Sequence, residues 1–306
     1  MMRQTFKHLL SINDIGKEAI ELILQTAESM KEISQRDIKK VPTLRGKTII
    51  NLFYEPSTRT RTSFELAGKR LNADVINLSG SGSSAVKGES LVDTGKTLQA
   101  MNPDVIVIRH SKAGAANLLA KNVTASVVNA GDGSHEHPTQ ALLDLFSIRE
   151  RTGKLKGLKV CIVGDISHSR VARSDILCFK KMGIEVSVVA PATLIPIDIE
   201  RMGAKVFYNL EEAVKDVDVI ICLRIQTERL LSSHFPSTRE YSKFYGINTD
   251  NLKGAKKNLV ILHPGPINRG IEISPEVADG PFSIILDQVT NGLAIRMAIL
   301  YLLSGE

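Results

Sequence analysis

The sequence predicts an α/β protein of two domains, each a three-layer α/β/α sandwich around a mainly parallel sheet. Three observations carry this reading. Short apolar runs rich in Val and Ile recur along the chain, stretches of helical periodicity separate them, and the 306 residues, 43% hydrophobic, exceed what one core of average size takes up. Strands buried on both faces of a parallel sheet read as continuous apolar runs, and their crossovers are usually helical. The repeat is therefore a series of βαβ units in two sets.

The chain opens with a helix predicted from Asn13 to Ile33, where Ile15, Ala19, Ile23, Ala27 and Met30 form one packing stripe. The first set of strands is KTIINLF (47–53), ADVINLS (73–79), DVIVIRH (104–110) and ASVVNAG (125–131). Residues 137–157 then carry Ala141, Leu142, Leu145, Phe146 and Ile148 at helical spacing and close on TGKLKG, which places a domain boundary near 150. The second set is KVCIVGD (159–165), EVSVVAP (185–191), VDVIICLR (217–224) and NLVILHPGP (258–266). An apolar helix from Asn291 onward is expected to pack back across the first domain. The predicted domains are 1–150 and 151–287, with a returning helix over 288–306 and an active-site cleft between the two domains.

Composition excludes several classes. Lys and Arg number 39 against 33 Asp and Glu, and the net charge of +6 is too mild to mark a nucleic-acid binder; Trp is absent, so stacking platforms are poorly supplied. Cys161, Cys178 and Cys222 are far apart, which implies neither a disulfide framework nor a zinc site. The first twenty residues lack an uninterrupted apolar segment, and no stretch approaches 18 apolar residues, so the expectation is a cytoplasmic protein with no membrane association.

In open parallel sheets, ligands collect at the carboxyl ends of the strands. Several polar clusters fall there. INLF runs into Ser57, Thr58, Arg59, Thr60 and Arg61; VIVIRH ends on Arg109 and His110; SVVNAG is followed by DGSHEHPTQ with His137 and Gln140; VCIVGD leads to Arg170; VIICLR ends on Arg224; and LVILH ends in HPGP. A solvated helix start capped by Ser57 or Thr58 is the ordinary reading of the first cluster, but a strand-to-helix turn already favours an anion, which makes a phosphate site the better one. Asp132, His135, Glu136 and His137 invite a metal reading, yet alternation in an irregular loop points successive side chains apart, so no metal is expected. VGDISHSR lacks the spacing of G-x-G-x-x-G, which argues against a dinucleotide. The Gly/Ser segment 79–90 reads as a surface loop or, because it carries Lys87, as a lid.

FYEPSTRTRTSFE, DVIVIRH, NAGDGSHEHPTQALLDLFSI, RIQTER and HPGP occur in the order and approximate spacing of the carbamoyltransferase family, and the chain resembles that family over essentially its whole length. Within the family it is similar to the branch that takes aspartate. The ornithine branch typically carries HCLP and an SMG loop, whereas this chain has HPGP, no SMG, and Arg224, Gln226 and Lys87 suited to two carboxylates. The resemblance implies transfer of the carbamoyl group of carbamoyl phosphate to the amine of L-aspartate, on the way to pyrimidines, with ornithine or another amine as the alternative acceptor. A noncatalytic anion-binding module is the competing class.

The resemblance also implies roles. Ser57, Thr58, Arg59 and Thr60 would hold the phosphate; Thr60, Arg109 and His137 would donate to the carbamoyl oxygen; Gln140 and the carbonyls of Pro264 and Gly265 would hold the carbamoyl NH2. Arg170, Arg224 and Gln226 would grip the aspartate carboxylates. Ser83 and Lys87 would reach in from the adjacent subunit of a homotrimer, with regulatory chains or a dihydroorotase partner as candidate associates. Neither metal nor organic cofactor is implied. Many relatives have a larger residue at position 265, where glycine keeps the backbone carbonyl. FPSTREYSK (235–243) repeats STR and reads as part of a mobile acceptor-side loop.

Overall fold

The computed structural model describes residues 6–80, 88–225 and 237–304. They form two compact units: one runs to Leu143 and resumes at Thr290, the other spans Asp144–Val289. The division falls inside two helices, α5 (Pro138–Thr152) and α10 (Ile285–Ser304), rather than in a linker.

The first unit begins with a 3-10 turn at Ile12–Asp14, capped by the Ser11 hydroxyl, and the helix α1 (Lys17–Gln35) starts only after it. There follow β1 (Thr48–Phe53), α2 (Thr58–Arg70), β2 (Asp74–Ser79), α3 (Leu91–Gln99), β3 (Val105–His110), α4 (Ala115–Ala120) and β4 (Ser126–Asp132). The sheet is parallel throughout, in the order β2-β1-β3-β4. Ile50, Leu52, Ile106, Ile108 and Val127 pack against Leu98 of α3 and Ala115 and Leu119 of α4. Five consecutive residues of β1, Ile49 to Phe53, are buried, so both faces of that strand are covered. The last helix belongs partly to this unit: Arg296 Nη1 donates to Ser63 Oγ at 2.9 Å.

The second unit contains β5 (Lys159–Val163), α6 (Arg170–Lys181), β6 (Glu185–Val189), β7 (Ala204–Phe207), α7 (Leu210–Val214), β8 (Val219–Cys222), α8 (Thr238–Tyr245), β9 (Val260–Leu262) and α9 (Pro275–Ala278). Its sheet is also parallel, in the order β7-β6-β5-β8-β9. Cys161, Val163, Ile220, Cys222 and Ile261 form the core with Leu210 and Val214 of α7 and Val277 of α9. Three differences from the sequence reading stand out. The edge strand β7 was not anticipated. The apolar helix starts at Ile285 instead of Asn291. Residues 238–245 form a helix where FPSTREYSK reads as loop, because Ser237 caps it by accepting from the Glu240 N–H at 3.1 Å.

Helix α6 buries Asp175 completely, near the equally buried Asp144 of α5. Burial, followed by the Asp144 charge, pushes the Asp175 carboxyl well above its ordinary range. A carboxyl raised in the folded state contributes stability that is whole below its unfolded pKa and lost as pH rises through the folded one. Asp175→Asn is therefore expected to stabilise the protein at pH 8 by ~1–3 kcal/mol, roughly 2–4 °C per kcal/mol, and to lose that gain near pH 4. Thermal melts at both pH values check it; an equal gain at both would contradict the assignment.

Candidate active site

Each sheet contains one place where the strand order reverses direction, and both are occupied by the arginines that the sequence singles out. In the first sheet the reversal lies between β1 and β3, in the second between β5 and β8. Such switch points open crevices at the carboxyl ends of the strands.

In the first unit, β1 leaves the sheet at Phe53 and the chain turns into α2 through Ser57, the N-cap residue. Ser57 caps with its carbonyl, which accepts the Arg61 N–H at 3.1 Å, while its hydroxyl makes no cap bond. Thr58 and Arg59 are exposed on the first turn and Thr60 is buried, so the guanidinium adds to the positive end of the helix dipole. β3 lies alongside, with Arg109 opposite Phe53 and the Tyr54 N–H donating to the Arg109 carbonyl at 2.9 Å. The Arg109 guanidinium is held on two sides: Nε lies 3.3 Å from Glu55 Oε2, and Nη1 donates to the Ala130 carbonyl at 3.2 Å. Neighbouring His110 turns to packing against Tyr54, its ring 4.9 Å away, and burial, followed by the Lys112 charge, lowers its pKa.

The loop after β4 is built by its acids. Asp132 accepts the Gly114 N–H at 2.7 Å and the Asn129 amide at 2.9 Å, and lies 3.1 Å from His135 Nδ1. Glu136 accepts the Ile12 N–H at 3.0 Å and the Ser11 hydroxyl. Gly133 has φ +54, and a Cβ there would sit 2.8 Å from the Ala113 nitrogen, so this turn requires glycine. The loop delivers His137, 4% exposed, to the start of α5, where Pro138 occupies the first helical position. The His137 carbonyl accepts the N–H groups of Gln140 at 2.9 Å and Ala141 at 3.3 Å, and Thr139 Oγ1 lies 3.4 Å from its Nδ1. Ser57 to Thr60, His137 and Gln140 thus follow the carboxyl ends of β1 and β4, and Arg109 lies at the carboxyl end of β3.

In the second unit, Gly164 (φ +128) ends β5, and a Cβ on it would meet Leu223 at 3.0 Å. The turn therefore passes in contact with the residue before Arg224. Asp165 accepts the His168 N–H at 3.2 Å and Ser169 caps α6 by accepting the Ala172 N–H at 3.1 Å, which sets Arg170, 8% exposed, as the first residue of that helix. Beyond β9, His263 is buried and the Gly265–Pro266 peptide is cis; Gly265 has φ +67, a conformation that favours glycine. Arg170, Arg224, Pro264 and Gly265 therefore follow carboxyl ends of β5, β8 and β9. Ser83, Lys87 and Gln226 lie outside the described residues.

Sequence reasoning did not single out Glu55, which holds Arg109, although it stands two residues before Ser57. It also gave no role to His263, the first residue of HPGP, or to Asn268 and Glu272 just beyond it. Their roles depend on side-chain contacts that no local pattern encodes.

Residues 7–150 match the family model described as aspartate/ornithine carbamoyltransferase, carbamoyl-P binding domain, and residues 156–303 match the companion Asp/Orn binding domain. The chain is 64% identical over 304 residues, 99% of each chain, to the aspartate carbamoyltransferase catalytic subunit of Syntrophus aciditrophicus (strain SB). Among solved structures it is similar to the aspartate transcarbamoylase of Trypanosoma cruzi in complex with carbamoyl aspartate and phosphate, with TM-score 0.86, 30% identity and coverage of 96% and 95% of the two chains. It is also similar to the ornithine carbamoyltransferase of Pyrococcus furiosus, with TM-score 0.87, 32% identity and coverage of 98% and 97%.

Proposed function

The chain belongs to the aspartate/ornithine carbamoyltransferase family, and from that premise we infer that it transfers the carbamoyl group of carbamoyl phosphate to L-aspartate, giving N-carbamoyl-L-aspartate and phosphate. The observation that carries the reading is the presence of arginines at both sheet reversals, Arg59 and Arg109 in one unit and Arg170 and Arg224 in the other. A phosphate and two carboxylates are the ligands for which guanidinium forks are suited.

The aspartate nitrogen attacks the carbamoyl carbon, the bond from that carbon to the bridging oxygen breaks, and the electron pair departs on phosphate. Charge grows first on the carbamoyl oxygen. Thr60, Arg109 and His137 are assigned to that oxygen as a preorganised donor set, where loss of one donor typically costs ~3–4 kcal/mol. Arg59, with the Ser57 and Thr58 hydroxyls and the first-turn N–H groups of α2, takes the charge that accumulates on the leaving phosphate. Gln140 and the carbonyls of Pro264 and Gly265 orient the carbamoyl NH2, and Arg170, Arg224 and Gln226 hold the aspartate. The amine must be neutral to attack, and the departing phosphate is the base assigned to its proton.

The expected result is formation of carbamoyl aspartate from aspartate, and no citrulline from ornithine, in a colorimetric assay run with both acceptors. Citrulline alone would move the chain to the other branch, and no ureido product from either would reject the reading. Aspartate is favoured by Arg224, by HPGP where the ornithine branch has HCLP, and by the 64% identity over 99% of both chains. A place in pyrimidine biosynthesis and a cytoplasmic homotrimer with Ser83 and Lys87 at the neighbouring site complete the proposal. Growth of a pyrimidine auxotroph and sedimentation at three chain masses check these two parts. Among the described residues, no helix is long and apolar enough to cross a membrane.

A further inference from the structure

We propose that Glu272, a side chain assigned no contact with either substrate, is a positioning residue that locks the loop after β8 to the loop after β9. The inference rests on the assignment of Arg224 to aspartate and of the 264–265 carbonyls to the carbamoyl group.

Glu272 is completely buried. Its Oε1 accepts the Asn268 N–H at 2.5 Å and lies 3.2 Å from His263 Nε2. On the other side of the ring, His263 Nδ1 accepts the Gly265 N–H at 2.8 Å. An imidazole nitrogen that accepts carries no proton, so the ring proton sits on Nε2 and is donated to the carboxylate. Glu272, an acceptor at this position, thereby selects the one tautomer that can hold the Gly265 amide. The main chain of His263 is fixed independently, its N–H donating to Gln288 Oε1 at 2.9 Å while Gln288 Nε2 donates to Asp144 at 2.6 Å.

The second arm reaches the acceptor side. Asn268, oriented through its own N–H by Glu272, donates its side-chain amide to the carbonyl of Ile225 at 3.1 Å, and Ile225 follows Arg224 directly. Cys222, the last residue of β8, donates its thiol to the Glu272 carbonyl at 3.1 Å. Glu272 is thus bonded directly to the His263 ring that holds Gly265, and through Asn268 to the turn that carries Arg224. A role limited to stability would affect both substrates equally and would be indifferent to the imidazole tautomer.

Three variants separate the arms. Asn268→Ala cuts the tie to Ile225 and is expected to raise the KM for aspartate about tenfold, with the KM for carbamoyl phosphate within about twofold. Glu272→Ala is expected to raise both by about tenfold or more, and Glu272→Gln, which retains an acceptor oxygen, to restore the carbamoyl phosphate value to within about threefold. Nitrogen chemical shifts of the His263 ring, identified by their loss in His263→Asn, should show a proton on Nε2 and none on Nδ1 in the unsubstituted protein. The Nδ1-protonated form should appear in Glu272→Ala. An unchanged KM for aspartate in Asn268→Ala alongside a lowered melting temperature, a carbamoyl phosphate KM in Glu272→Gln raised about tenfold or more, or a proton on Nδ1 in the unsubstituted protein, would overturn the lock. If Glu272→Ala does not fold, the other two variants and the ring shifts still decide. The ring measurement uses no substrate, so its outcome stands apart from that of the carbamoyl-transfer assay.

Discussion

Arg59→Ala is expected to lower kcat by about 10³-fold or more while moving the melting temperature by less than about 2 °C. The two halves of that expectation come from different places. Arg59 is exposed on the first turn of α2, and alanine is the best helix former, so the folded state loses little. In the reaction assigned here, the same guanidinium meets a charge that is largest when the bond from carbon to the phosphate oxygen is breaking. An interaction stronger in the transition state than in the bound substrate is read in kcat. Turnover of the variant measured beside a thermal melt checks both halves, and a loss of folding proportional to the loss of rate would return STRTR to the role of a structural helix start.

Arg224→Ala is expected to raise the aspartate requirement by about 10²–10³-fold, because truncating one partner of a desolvated charge pair costs ~2–5 kcal/mol. Carbamoyl phosphate affinity should stay within about twofold, since its assigned phosphate ligands Ser57 to Thr60 follow β1 in the other unit. Arg224→Lys should recover only a small part, because an ammonium cannot reproduce a planar two-pronged contact with a carboxylate. Titration calorimetry with carbamoyl phosphate, together with aspartate saturation curves, separates the two effects. Equal weakening of both ligands would contradict the division of labour between the two arginine-bearing sheets.

Where an apolar run was long, the sequence reading located the strand, as with KTIINLF and DVIVIRH, and it put Arg59, Arg109 and Arg224 at strand ends without any contact information. It failed where the local signal was short or mixed. β7 is a four-residue edge strand, AKVF, whose Lys205 is exposed and whose Val206 and Phe207 are half-buried, so its burial is too slight to read as an apolar run. α8 does carry a legible signal, since Ser237 and Glu240 stand in the S-x-x-E spacing that starts helices, but at eight residues with only Tyr241 buried it offers no apolar stripe beside that cap. The supports behind the site were out of reach for a different reason. Glu55 finds Arg109 across 54 positions, and Glu272 finds His263 through a buried hydrogen bond, and neither spacing belongs to a helix or a strand.

The first unit is interrupted in the chain, ending at Leu143 and resuming at Thr290. During synthesis, its larger amino-terminal part therefore leaves the ribosome before the segment of α10 that carries the buried Met297, Ala298, Ile299 and Leu300. The second unit, Asp144 to Val289, is complete before that helix is finished. Domains of a growing polypeptide usually fold in the order in which they emerge. Here the order of completion differs: the middle unit has all of its residues before the first one does.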